Sequence, residues 1–273
     1  FQSDRDGNHE VYMMNSDGSN QINMTKNNSF DGSPVFSPDG KKIAFVSNRS
    51  GKHDIWVMNS DGSDLYNLTK SPSDNFYPSW SPDGKKITYD SYAEGATGGD
   101  IYINDLSGGQ PKNITNTLQD EGYPSWSPNG EMITYDAGGY DNSETGNFTI
   151  FSINITKNNE ISAITDNTGN SGDASWIPNS KQLVYSSDKD DPKGGNYEIY
   201  TISSDGTGDL RLTFNEGADT DPVVSNDGRY IAFDSDRDGD SEIFSMKSNG
   251  GIQKQLTNND SWDGMPNWGT VTN

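Results

Sequence analysis

Oxygen-bearing side chains recur along the chain at Asp31, Asn75, Glu121, Ser171, Asp219 and Asp263, separated by 44, 46, 50, 48 and 44 residues. Four of the six are carboxylates, and Asp74, Asp120, Asp173 and Asp221 stand close by in sequence. If the fold draws these positions together, Asp31, Glu121, Asp219 and Asp263 form a ligand set for a hard cation such as Ca2+, which takes six to eight oxygens. Asn75 and Ser171 dilute the charge, so the expected affinity is weak, roughly 0.1–1 mM. The competing assignment is local, since an Asp ahead of a turn also caps its own loop by accepting backbone N–H bonds.

A second set of candidates lies in three longer stretches, 91–99, 137–146 and 187–195, which contain Tyr92, Glu94, Tyr140, Asp141 and Glu144. Neighbouring long loops on a rigid frame are a common way to build a binding surface, although length drift in Gly-rich loops produces the same pattern. Tyrosines supply amphipathic contact area and the acids favour a basic partner.

Catalytic signatures are missing. The two histidines, His9 and His53, occupy the same place in successive repeats and read as turn residues. No Gly-X-Ser-X-Gly elbow, phosphate-cradling loop or zinc spacing occurs. The stretches Asp4–Glu10 and Asp236–Glu242 place Gly fourth and Glu seventh, which does not fit a helical calcium loop. The expectation is a chain without catalytic residues of its own.

What would position these candidates is a repeat with a period near 45. Pro78-Ser79-Trp80-Ser81-Pro82-Asp83-Gly84 returns as variants beginning at Pro34, Pro124, Ala174 and Pro222, and is cut short at Pro266-Asn267-Trp268. Each unit holds four short β-rich segments, in the second unit 34–36, 43–46, 55–58 and 65–69. Asp39-Gly40 and Asp61-Gly62 join them as tight hairpin turns. Four antiparallel strands repeated six times, each sheet too thin to stand alone, predict an all-β, six-bladed β-propeller over residues 1–273. The chain opens on a second strand and ends on a first, so residues 265–268 are expected to pair with the first residues and close the ring.

Composition narrows the partners. With 19 Lys and Arg against 41 Asp and Glu, the net charge of −22 excludes a basic face for nucleic acid or anionic lipid. Cations, basic proteins and neutral sugars remain, so a protein or carbohydrate partner is expected, and a monomer. No run approaches the ~20 apolar residues of a membrane span. Asn-X-Ser/Thr occurs at eight places, including Asn23, Asn67 and Asn113, which also belong to a repeated Asn-X-Thr ending. Glycosylation or the repeat itself accounts for them, and the polar composition leans toward an extracellular, cell-surface or periplasmic setting.

The words Ser-Pro-Asp-Gly-Lys-Lys-Ile-Ala-Phe at 37–45, Ile-Trp-Val-Met-Asn-Ser-Asp-Gly at 55–62 and the Leu68-Thr69 ending resemble the repeats of the TolB-type six-bladed propeller family. The resemblance covers essentially the whole chain. It implies a propeller whose channel can hold calcium. The long loops and the missing catalytic signatures, in turn, lead to the expectation of a non-catalytic binding or scaffold module with its partner docked on the long-loop face. Similar blades also precede the hydrolase domain of prolyl-oligopeptidase-type peptidases. The alternative is therefore the propeller part of a larger hydrolase or polysaccharide-active enzyme, gating or positioning substrate.

Overall fold

Strands such as Lys42–Ser47 alternate their side chains between two buried faces, because each sheet is sandwiched between neighbours and packs on both. The computed structural model describes residues 1–138, 147–178 and 180–270. Among them the strands form six four-stranded antiparallel sheets, and no helix appears. From the channel outward, blade 1 comprises Asp263–Gly264, Gln2–Ser3, Glu10–Met13 and Ile22–Asn23. Blade 2 comprises Asp31–Phe36, Lys42–Ser47, Asp54–Asn59 and Tyr66–Asn67, and blade 3 Asp74–Trp80, Lys86–Tyr92, Asp100–Asp105 and Lys112–Asn113. Blade 4 comprises Asp120–Trp126, Met132–Gly138, Thr149–Asn154 and Glu160–Ala163. Blade 5 comprises Ser171–Trp176, Gln182–Ser187, Glu198–Ser203 and Leu210–Arg211, and blade 6 Asp219–Val224, Tyr230–Ser235, Glu242–Lys247 and Lys254–Gln255. This is the six-bladed propeller that the repeat predicts.

The repeated words have local causes. In the first hairpin of blade 2, Ser37 Oγ donates to Asp39 and accepts from the Lys42 N–H, while Gly40 takes φ +70°. In every blade the hydroxyl of the Thr in the fourth-strand ending accepts from the N–H of the second residue of the third strand: Thr25 from Val11, Thr69 from Ile55, Thr115 from Ile101, Thr165 from Ile150, Thr213 from Ile199 and Thr257 from Ile243. Asn23 and Asn113 accept backbone N–H bonds inside the same turns, which gives the Asn-X-Thr pattern a structural role.

The core lies between blades. Ala44, Val46, Ile55 and Val57 of blade 2 pack with Trp80, Ile87 and Tyr89 of blade 3, and Ile101 of blade 3 with Trp126, Ile133 and Tyr135 of blade 4. Indole N–H groups add directional links: Trp80 donates to the Val35 carbonyl at 3.2 Å, Trp176 to Ser125 at 3.3 Å and Trp268 to Val223 at 3.1 Å, each reaching back one blade. Trp126 is equally buried, but its indole nitrogen has no partner.

Ring closure falls two residues earlier than expected. Gln2 pairs with Gly264 and Ser3 with Asp263, while 265–268 take no strand partner. The register explains it, because after the first-strand bulge Val35 and Phe36 pair with Ala44 and Ile43, which precede the equivalent of Phe1. The tail still packs on blade 2, with Asn267 accepting from the Phe36 N–H and Thr270 lying against the Gly40 turn.

Candidate functional site

The four carboxylates expected to share a cation are separately engaged. Arg49 reaches Asp31 at 2.8 Å, Arg237 reaches Asp219 at 2.9 Å and Arg5 reaches Asp263 at 2.6 Å, with each Asp fully buried. Each guanidinium also sits over the aromatic pair of its own blade, for example Arg237 over Phe244 at 4.5 Å, and bonds a Ser hydroxyl. Asn27, Asn215 and Asn259 complete the arrangement by donating to the same three aspartates. Glu121 has no arginine. It accepts from Thr117 at 2.7 Å, its second oxygen is buried without a partner, and burial raises its pKa. Among the described residues no group of three or more His, Cys, Asp or Glu could hold a metal ion, so Asp31, Glu121, Asp219 and Asp263 do not assemble as the sequence suggested. In blades 1, 2 and 6 the reason is charge balance within the blade, which turns Asp263, Asp31 and Asp219 to a guanidinium and an Asn amide, while Glu121 bonds Thr117.

The channel is lined by other residues. The first strands of blades 2 to 6 break register just ahead of the Pro position, and Ser33, Tyr77, Tyr123, Asp173 and Asp221 there, with Met265 at the same place in blade 1, all take φ between +46° and +57°. Left-handed backbone is uncommon for side-chain-bearing residues, and its repetition in six blades marks a bulge that turns these side chains toward the axis. There Tyr77 stacks on Tyr123 with ring centroids 3.7 Å apart. Second strands contribute Asp90, Asp136 and Asp234 at the place where blade 2 has Val46. Asp136 accepts from the Asp173 N–H at 2.9 Å, and Asp173 accepts from Ser186 at 2.5 Å.

These five aspartates are short of cations. Burial, then the Asp120 charge, pushes Asp90 up to about 8, and burial raises Asp234 to about 7. Asp136 and Asp221 are raised well above the usual range by burial and then by the Asp173 charge. Both oxygens of Asp90 and one each of Asp136 and Asp234 are buried without a hydrogen-bond partner. Sequence reading passed over Asp90, Asp136 and Asp234. The available signal was a carboxylate at Tyr89-Asp90-Ser91 and Tyr135-Asp136-Ala137 in a slot that reads Phe45-Val46-Ser47 in blade 2.

On the long-loop face an aromatic run leads to this acidic centre. Trp262, His9, Phe30, His53 and Phe76 follow one another with centroid separations of 5.4, 5.3, 5.5 and 4.9 Å. Phe76 then meets Tyr92 at 5.9 Å and Tyr77 at 6.2 Å. His9 and His53 are therefore members of an aromatic surface as well as loop residues. Tyr92 lies at the end of the run and lines a 330 Å³ pocket with Tyr77, Tyr123 and Asp136. Glu94 is exposed in its loop. Tyr140, Asp141 and Glu144 fall outside the described residues.

A family model described as the TolB beta propeller domain matches residues 1–144 and 191–272. The chain belongs to the TolB beta propeller domain family. It is 38% identical over 74 residues to the Tol-Pal system protein TolB of Geobacter sulfurreducens, a match that covers 27% of this chain and 17% of that protein. The chain thus spans well under two thirds of that relative. Among solved structures, a TolB-like protein from Agrobacterium tumefaciens is similar with a TM-score of 0.81 at 21% identity, covering 95% of this chain and 93% of that one. TolB from Acinetobacter baumannii has a TM-score of 0.81 at 20% identity, covering 95% of this chain and 62% of that one. At such identities the structural likeness shows the propeller fold, and it leaves the site of this TolB-family chain to be read from its own residues.

Proposed function

We propose that this TolB-family propeller is a non-catalytic docking module that holds a basic segment of a partner protein on its long-loop face. The observation that carries the reading is the aromatic run from Trp262 to Tyr92, which ends at a pocket floored by buried aspartates. Aromatic side chains give large contact area at low entropic cost, and uncompensated carboxylates select positive charge. An extracellular or periplasmic location is part of the proposal, supported by the similarity to a Tol-Pal system protein.

The test is fluorescence anisotropy with a library of basic, aromatic-containing peptides. Binding is expected to weaken as salt rises, to be lost in Trp262→Ala and Tyr92→Ala, and to survive Asp83→Ala on the opposite face. Equal losses from both faces, or salt-independent binding, would overturn the reading.

A further inference from the structure

The six blades are not electrostatically equivalent. Blades 1, 2 and 6 each carry an arginine that neutralises their channel-side aspartate. At the equivalent places blades 3 and 5 have Ala93 and Lys189, and Lys189 turns away to Asp209 and Tyr185. The pocket lies on the side of blades 3, 4 and 5, and among the described residues no Lys, Arg or His lines it. Its walls include Tyr77, Tyr92, Tyr123, Phe148 and Tyr197, contributed by those three blades.

Asp136 supplies the decisive detail. It is 5% exposed and lines the pocket, one oxygen taking the Asp173 N–H while the other has no partner. Gly172 leaves it room, since a Cβ there would fall 2.6 Å from the Asp136 carboxylate. A carboxylate oxygen left without a partner in a largely aromatic enclosure, with no Lys, Arg or His lining it among the described residues, calls for a donor that carries positive charge. Among the described residues no group of three or more His, Cys, Asp or Glu could hold a metal ion, whereas the five rings suit an organic cation attracted to aromatic faces. The volume of 330 Å³ sits at the small end of ligand clefts and accommodates a linear chain.

We propose that this pocket binds a primary alkylammonium group, with the N–H donors on Asp136 and the methylene chain against the tyrosines. The proposal deepens the docking reading and rests on it, because a lysine side chain of the partner would be one source of the group and a free polyamine the other.

Ligand-observed NMR and calorimetry on the whole chain test it with three probes: N-acetyl-lysine methylamide, cadaverine and the neutral N-acetyl-norleucine methylamide. Both amines are expected to bind and the neutral probe is not; tighter binding of the capped lysine identifies a protein side chain as the source, and tighter binding of cadaverine a polyamine. Asp136→Asn should weaken both amines by about tenfold or more, the value of a charge-assisted hydrogen bond, while its melting temperature stays equal or rises. Tyr197→Leu should weaken them several-fold, giving a second variant at the rim of the pocket. The inference is overturned if the neutral probe binds as well as the amines, if Asp136→Asn binds them unchanged, or if calcium alone perturbs the pocket while the amines are silent. Silent amines together with intact peptide docking would overturn the ammonium assignment and leave the docking reading standing.

Discussion

Asp31 is fully buried and has one countercharge, Arg49, which also covers the Phe45 and Trp56 rings. Arg49→Met should therefore destabilise the protein by about 3–5 kcal/mol, while adding Asp31→Asn should restore much of the loss, because the cost is that of a stranded buried charge. Urea unfolding of the single and double variants measures both. Asp90 offers the opposite case, a carboxylate with no partner whose pKa burial raises to about 8. In the unfolded chain it titrates near 3.9, so the folded state holds the extra proton between these values. Its stabilising contribution is complete below about pH 4 and is lost as pH rises toward 8. Asp54 works against this trend: although burial would raise it, bonds from Ser50, Thr69, Asn67 and the Ser71 N–H hold its pKa below the usual value, and its contribution is lost in acid. The clean observable is the difference between wild type and Asp90→Asn, which should be near zero at pH 4 and reach about 1–3 kcal/mol in favour of the variant at pH 8. The three Asp–Arg pairs were legible in the sequence, since Asp31, Asp219 and Asp263 are the blades that also carry Ser47-Asn48-Arg49, Ser235-Asp236-Arg237 and Ser3-Asp4-Arg5. Read together with those arginines, the three acids are ion-pair partners within their own blades.

Strands and turns announced themselves because they depend on neighbours in sequence. Asp39-Gly40 and Asp61-Gly62 form the turns expected of them, with φ +70° and +87° at the glycines. The first-strand bulge was not legible. A residue ahead of proline is biased toward extended backbone, yet Tyr77 and Tyr123 take the left-handed region because six strands converge on a narrow axis, a constraint absent from any one repeat. Inter-blade bonding was hidden for the same reason. Trp176 donates to Ser125 across a blade boundary, whereas the buried Trp126 nitrogen is idle. Replacing Trp by Phe should consequently cost about 1 kcal/mol more at 176 than at 126, the value of one net hydrogen bond, as read from paired denaturation midpoints.

At the scale of the molecule, closure rests on two paired residues on each side and on a tail that crosses to blade 2. Gly40 and Gly84 are equivalent turn glycines at φ +70° and +68°, but a Cβ at Gly40 meets the Thr270 carbonyl at 1.9 Å whereas one at Gly84 meets only Pro38 at 3.9 Å. Each Ala variant should carry the ordinary left-handed penalty of about 1 kcal/mol, and Gly40→Ala alone should add the displacement of the tail. Calorimetry of the two variants, and of each in a chain ending at 264, separates the terms: the excess at Gly40 should vanish when the tail is removed. The sequence predicted closure and misplaced it by two residues, because the pairing register is fixed by the bulge.

The uneven placement of the arginines has a geometric consequence. A ring of six similar blades offers a visitor six rotational settings of nearly equal energy, and a symmetric surface would let a docked chain settle in any of them. With the arginine–aspartate pairs at the first-strand position confined to blades 1, 2 and 6, the face acquires a compass needle lying in its plane. An approaching cation is turned toward blades 3 to 5 before contact, so one angular setting is selected out of six.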